Sequence, residues 1–299
     1  MTAFERALAR GPVVLDGGLG THLEARGNDL SSHLWSARLL AEDPGEIRAA
    51  HADFFRAGAR VAITASYQVS ADGLAAAGFD DVDALLRRSV DLAREARAEA
   101  GLSADEAWVA ASVGPFGASR ADGSEYTGKD GLDLAALRAW HRPRLHALAA
   151  AEPDVLAVET LPSLTEVEAV CAELDGLGVP AWVSMTVAGG RLRTGESLTD
   201  AAAIAGSTSG VIAIGVNCCA ADDVAPALAE LRAASALPLV AYPNSGEEWD
   251  AAARSWAGDA APAHAASSAW VDAGARLVGG CCRVGPEEIA RIAQAVGGG

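Results

Sequence analysis

Lysine is nearly absent from this chain: Lys129 stands alone among 23 basic residues, against 40 acidic ones, for a formal net charge of −17. A balance of that sign opposes binding to nucleic acid phosphates and to anionic membrane surfaces, so neither is an expected partner. The N-terminal stretch MTAFERALARG lacks a basic segment followed by an apolar run and a small-residue cleavage site. No window reaches the roughly 18 uncharged apolar residues of a membrane span. These absences predict a cytoplasmic protein. Cysteine is also scarce, at five residues, and in a reducing compartment such residues serve as metal ligands or redox groups more often than as structural disulfides. The remaining composition, 51% hydrophobic and 21% charged, is that of an ordinary globular chain and excludes extensive disorder.

Eight apolar runs rich in Val, Ile and Ala recur along the chain: PVVLDGG from 12, RVAITAS from 60, AWVAASVG from 107, VLAVETL from 155, AWVSMTV from 181, GVIAIGVN from 210, LPLVAYPNSG from 237 and ARLVGGCC from 275. None alternates with period two, as expected of strands covered on both faces in a parallel sheet. Helical segments lie between them. Asp43 and Pro44 begin one, Ser163 and Glu166 stand at capping-box spacing in another, and Pro286 opens the last. Eight strand-then-helix units without a linker predict a single (β/α)8 barrel over residues 1–299, with a doubly wound open sheet as the runner-up. The spacing puts long loops after the early strands, including the Gly-rich polar run FGASRADGSEYTGKDGLD. A Rossmann phosphate loop is not expected, because Gly18 and Gly20 are followed by Leu23 where a third glycine belongs.

Barrel enzymes carry their chemistry at the C-terminal ends of the strands. Those ends place Asp16 and Gly17, Ser66 and Tyr67, Glu159 and Thr160, Asn217 and Cys218, Asn244, and Cys281 and Cys282 at one mouth. The six histidines fall on predicted helices or, for His33, in a loop, and none ends a strand. Three thiolates suit a zinc ion that keeps its fourth position open. Adjacent residues on a strand face opposite ways, so Cys281 and Cys282 reach one ion only if the chain turns irregularly there; Gly279 and Gly280 offer that freedom. Buried cysteines that merely pack, or a vicinal redox disulfide, are the competing readings. Cys171, on an apolar helical stripe, reads as packing, and Cys219 should face away from Cys218.

The segments LDGGLGTHLEARG, HLWSARLL, ITASYQVS, VETLPSLTE, GVNC, YPNSGEEWD and GGCCR, from about residue 11 to the C-terminus, together resemble the zinc-dependent homocysteine S-methyltransferases. SYQ and YPNSGEEWD are most similar to the branch that uses S-methylmethionine or S-adenosylmethionine rather than betaine. The resemblance implies a homocysteine-binding barrel with one zinc ion on Cys218, Cys281 and Cys282, and small-molecule partners in homocysteine and a sulfonium donor. It further implies Asp16 and Glu159 as partners of the homocysteine ammonium, and amides near Gly17, Gly18 and Ser66 as donors to its carboxylate. Trp35 matches a family aromatic that would face the donor cation, with a packing role as its alternative. Tyr67 would close the donor pocket or approach the metal, and Asn217 and Asn244 would organise the ligand turns. A noncatalytic zinc or thiol-binding barrel, and a methyltransferase using betaine or another thiol or selenol acceptor, remain as alternatives.

Overall fold

In the computed structural model, residues 1–30, 36–70, 81–250, 255–258 and 261–297 are described, and Trp35 and His33 lie outside them. All eight predicted runs form strands: β1 (Val13–Val14), β2 (Val61–Ile63), β3 (Trp108–Val113), β4 (Val155–Leu161), β5 (Ala181–Met185), β6 (Val211–Asn217), β7 (Leu239–Tyr242) and β8 (Ala275–Val278). They pair in parallel in the order β1-β8-β7-β6-β5-β4-β3-β2. A parallel bridge between Leu15 and Val61 joins the two ends, so the sheet curls into a barrel rather than the open, doubly wound alternative.

Two apolar layers explain why the strands read as unbroken hydrophobic runs. Val13, Leu15, Val61, Trp108, Ala110, Val155, Ala157, Trp182, Ala213, Val240 and Leu277 pack in the interior, whereas their sequence neighbours pack against the surrounding helices. The helix Ala3–Arg10 closes one end by inserting Phe4, whose ring centroid is 5.5 Å from that of Trp108 and 6.5 Å from that of Trp182. Burying such a ring contributes about 1.5–3 kcal/mol. Towards the other end the inward positions turn polar, with Ser112, Glu159, Ser184, Asn217 and Tyr242 all buried. That change in side-chain chemistry along each strand separates the packed floor from the mouth.

The helices begin largely as their sequences predict. Pro44 occupies the first turn of Pro44–Arg56 after Asp43, although the Asp43 side chain makes no capping bond. Ser163 accepts a hydrogen bond from Glu166 N at 3.2 Å to cap Leu164–Leu174. The reciprocal half of that predicted capping box is not made, because the Glu166 carboxylate turns elsewhere: Oε1 accepts from Phe116 N at 2.6 Å and pairs with His141 Nε2 at 2.9 Å. It thereby ties down the run after β3, which is a pair of short 3-10 turns, Phe116–Arg120 and Ser124–Tyr126, rather than an open loop.

Candidate metal centre and substrate cleft

At the C-terminal ends of the strands lies a cavity of about 260 Å³. Gly17, Tyr67, Glu159, Cys218, Cys281 and Cys282, all at strand ends, line it together with Gly18. The sulfur atoms of Cys218, Cys281 and Cys282 all lie within 4.8 Å of one another. Cys218 Sγ and Cys282 Sγ are 3.8 Å apart. A tetrahedral ion with sulfur at about 2.3 Å separates its ligands by about 3.8 Å, so Cys218 and Cys282 already stand at ligand spacing, with Cys281 within 4.8 Å of both.

Local backbone geometry brings these sulfurs together. Asn217 still follows the inward alternation of β6, but Cys218 has φ +50, a left-handed conformation that breaks the alternation and turns its side chain to the mouth. Cys219 then resumes the outward face and is buried among the helices, where burial pushes its thiol up and keeps it protonated. After β8 the left-handed residue is Arg283, with φ +61. Gly279 and Gly280 serve by their lack of volume instead of by unusual dihedrals. A Cβ on Gly280 would stand 2.1 Å from Val284 Cγ1, and one on Gly279 would stand 2.6 Å from Leu15 Cβ. The turn can close around the two cysteines because nothing projects from those glycines.

The three thiols are not electrostatically equal. Hydrogen bonds from Cys281 and Cys282, with a further one from Tyr126, hold the Cys218 thiol well below its ordinary value. Cys281 and Cys282 are pushed up, since each shares its proton with an already anionic neighbour. One bound cation would relieve that competition. Cys171 lies far from this arrangement on the helix Leu164–Leu174, and burial raises its thiol to about 11.

Glu159 continues the inward parity of Val155 and Ala157 and reaches the cleft. Ser112 Oγ donates to its Oε1 at 2.5 Å. Burial, more than the adjacent Cys218, pushes its carboxyl up to about 7. Asp16 is placed differently. It is not among the described residues that line the cleft, although its partner Ile63 is. Its Oδ2 accepts from Ile63 N at 2.8 Å and lies 3.9 Å from His51 Nδ1, while Oδ1 is buried without a hydrogen-bond partner among the described residues. Burial is the main reason its carboxyl is raised well above the carboxylate range, with Glu159 adding to the shift.

Three further predicted positions are already committed within the protein. The Gly18 N–H donates to Val284 O at 3.0 Å. At Ser66 it is the hydroxyl that is engaged: Oγ donates to Ser112 O at 2.8 Å and also meets Thr64 Oγ1 at 2.7 Å. Asn217 Oδ1 accepts from Thr160 N at 2.7 Å and Ser184 Oγ at 2.9 Å, and Nδ2 donates to Thr160 Oγ1 at 2.7 Å. These bonds fix the left-handed Thr160, φ +63, directly beside Glu159. Asn244 acts likewise on the other ligand turn, where Oδ1 accepts from Cys282 N at 3.2 Å.

Three cleft or support residues carry no sequence motif that announces them. Glu125 and Tyr126 come from the second 3-10 turn, and the Tyr126 hydroxyl lies 3.2 Å from Cys218 Sγ. Arg144 is a buried cation whose guanidinium donates to Gly114 O at 3.1 Å and Tyr67 O at 2.9 Å. Burial lowers its pKa to about 10, and it lies close enough to counter part of the negative charge of Glu159. The only forewarning was the Gly-rich polar run at the mouth, which located Glu125 and Tyr126 near the site but gave neither an orientation.

A parallel barrel with an open trio of sulfurs beside a buried carboxylate defines a class: barrel proteins with a metal-type thiol centre at the strand ends. Comparison with known proteins narrows it. The family model described as homocysteine S-methyltransferase matches residues 13–296, and the chain belongs to that family. It is 45% identical over 293 residues to the homocysteine S-methyltransferase of Escherichia coli, covering 94% of each chain. It is 43% identical over 309 residues to homocysteine S-methyltransferase 4 of Zea mays, covering 96% of this chain and 90% of that one. The crystal structure of the metallated form of the E. coli homocysteine methyltransferase MmuM superposes with a TM-score of 0.85 at 42% identity, covering 95% of this chain and 96% of that one.

Proposed function

We propose that this protein transfers a methyl group from a sulfonium donor, S-methylmethionine or S-adenosylmethionine, to the thiol of homocysteine, giving methionine. The observation that carries this reading is the trio of sulfurs from Cys218, Cys281 and Cys282, spaced for one ion and opening onto a cleft that also presents Glu159. Zinc held by those three cysteines would keep the acceptor sulfur deprotonated and nucleophilic near neutral pH, where a free thiol with pKa near 8.5 is mostly protonated. An all-sulfur set has softness suited to zinc, and the spacing fits it.

The side chains account for the rest. Glu159, as a carboxylate, receives the homocysteine ammonium, and Ser112 fixes the carboxylate orientation. Asp16 pins β1 to β2 through Ile63 N. Tyr126 donates to the Cys218 sulfur and so limits the charge it carries. In the transfer itself the donor carbon–sulfur bond breaks, its electron pair stays on the departing sulfur as a neutral thioether, and the acceptor sulfur forms the new bond to the methyl carbon. The thiol proton leaves to solvent before that step. Cation and anion are both discharged, which a cleft shielded from water favours.

The test is an assay of purified, zinc-loaded protein with homocysteine and each of S-methylmethionine, S-adenosylmethionine and betaine, following methionine. Methionine from a sulfonium and not from betaine is the expected result. Failure of every donor at full zinc occupancy, or full activity in a metal-free reduced preparation, would overturn the proposal.

A further inference from the structure

Glu125 belongs to none of the roles above. It sits in the 3-10 turn Ser124–Tyr126, lines the cleft, and is only 9% exposed. Its Oε2 is buried with no hydrogen-bond partner among the described residues. An orphaned carboxylate oxygen inside a protein is costly, and such groups persist where a ligand completes them. The turn that carries it is built firmly. A Cβ on Gly117 would stand 2.5 Å from Glu125 N, so the two 3-10 turns are in close contact, and Glu166 anchors the first of them through Phe116 N. On its other side Tyr126 meets Cys218 Sγ. The carboxylate is therefore held one residue from the group that touches the thiol centre.

Deepening the methyl-transfer reading and resting on it, we propose that Glu125 is the counter-ion of the methyl donor, its carboxylate paired with the positively charged sulfonium. Glu159 already answers the ammonium of the acceptor, and the cleft then carries a separate acidic group for a cationic centre on each of the two reactants. Burial, with the Cys218 thiolate a lesser cause, raises the Glu125 carboxyl to about 7, and a bound cation restores its charge. The pairing acts before the methyl moves. Once the donor has become a neutral thioether the attraction is gone, which helps the product to leave, so Glu125 sets donor affinity rather than the rate of the chemical step.

The test compares wild type with Glu125→Gln and Glu125→Asp. Steady-state kinetics with S-methylmethionine should give a donor KM raised about tenfold or more in Glu125→Gln, partly recovered in Glu125→Asp, with the homocysteine KM and kcat at saturating donor nearly unchanged. Zinc content should equal that of wild type. Calorimetric binding of the trimethylsulfonium ion, which has no ammonium group, should weaken in parallel with the donor KM. A rise confined to the homocysteine KM, an unchanged donor KM, or unaltered trimethylsulfonium binding would each overturn the assignment. Wild-type activity separates this inference from the function beneath it: active wild type with an indifferent Glu125→Gln refutes only the counter-ion, and inactive wild type refutes the methyl transfer.

Discussion

The Tyr126 hydroxyl lies 3.2 Å from Cys218 Sγ, so a residue of an irregular turn makes direct contact with the thiol centre built at strand ends. Tyr126→Phe removes that donor and keeps the ring. Groups that hydrogen-bond metal ligands typically contribute about 10- to 100-fold in metal affinity or activity. We expect a loss of that size in zinc affinity, read by chelator competition, with little change in Tm. Unaltered affinity together with unaltered kinetics would remove Tyr126 from the centre.

Cys218→Ala, Cys281→Ala and Cys282→Ala should each lose bound zinc and methyl transfer. Cys171→Ala and Cys219→Ala, which alter side chains packed against helices, should keep both. Elemental analysis alongside the methionine assay distinguishes the two groups. Stoichiometric zinc in any of the first three, or its loss in either of the last two, would redraw the ligand set.

The Glu159 carboxyl, raised to about 7, gives product binding a definite pH dependence. Methionine presents the same ammonium without an ionisable thiol, and it requires Glu159 as a carboxylate. Its affinity should fall by up to about tenfold for each pH unit below about 7, and Glu159→Gln should bind weakly with no such slope. The raised value also means that Glu159 favours the unliganded fold fully below about 4.5, a contribution lost as pH rises through about 7. Calorimetric titrations with methionine between pH 5 and pH 8, at roughly unit intervals, would measure the slope.

A Cβ on Gly280 would stand 2.1 Å from Val284 Cγ1 and 2.3 Å from Val284 Cβ. Gly280→Ala should destabilise the fold by about 1–3 kcal/mol and displace Cys281 and Cys282 enough to reduce zinc binding. Adding Val284→Ala removes the obstructing methyls and should recover part of both, seen as non-additive changes in Tm and zinc content. Additive losses would mean the clash is relieved elsewhere.

The barrel was readable because burial on both faces leaves a simple signature, eight apolar runs without alternation. The cysteines were readable because few other roles explain three thiols at strand ends. Asp16 shows where that reasoning stops. A strand-end position does not specify what a side chain will touch: Asp16 engages Ile63 N, stands 3.9 Å from His51 Nδ1, and is not among the described residues that line the cleft. The sequence assigns Gly279 and Gly280 the role of flexibility, whereas close packing against Leu15 and Val284 is what requires them. Glu125 and Tyr126 could not be singled out, because a 3-10 turn in a Gly-rich run has no periodicity from which to infer direction. Trp35 lies outside the described residues.

The cylinder has a seam. At the β1–β2 junction, Asp16 N donates to Val61 O and Arg60 N to Val14 O, and a third stitch is the Asp16 side chain holding Ile63 N. A side chain expected to meet ligand is thus a fastener of the wall. Asp16→Asn keeps an oxygen for Ile63 and alters only the charge, whereas Asp16→Ala unpicks the join itself, so at this residue architecture and electrostatics are bound into a single side chain.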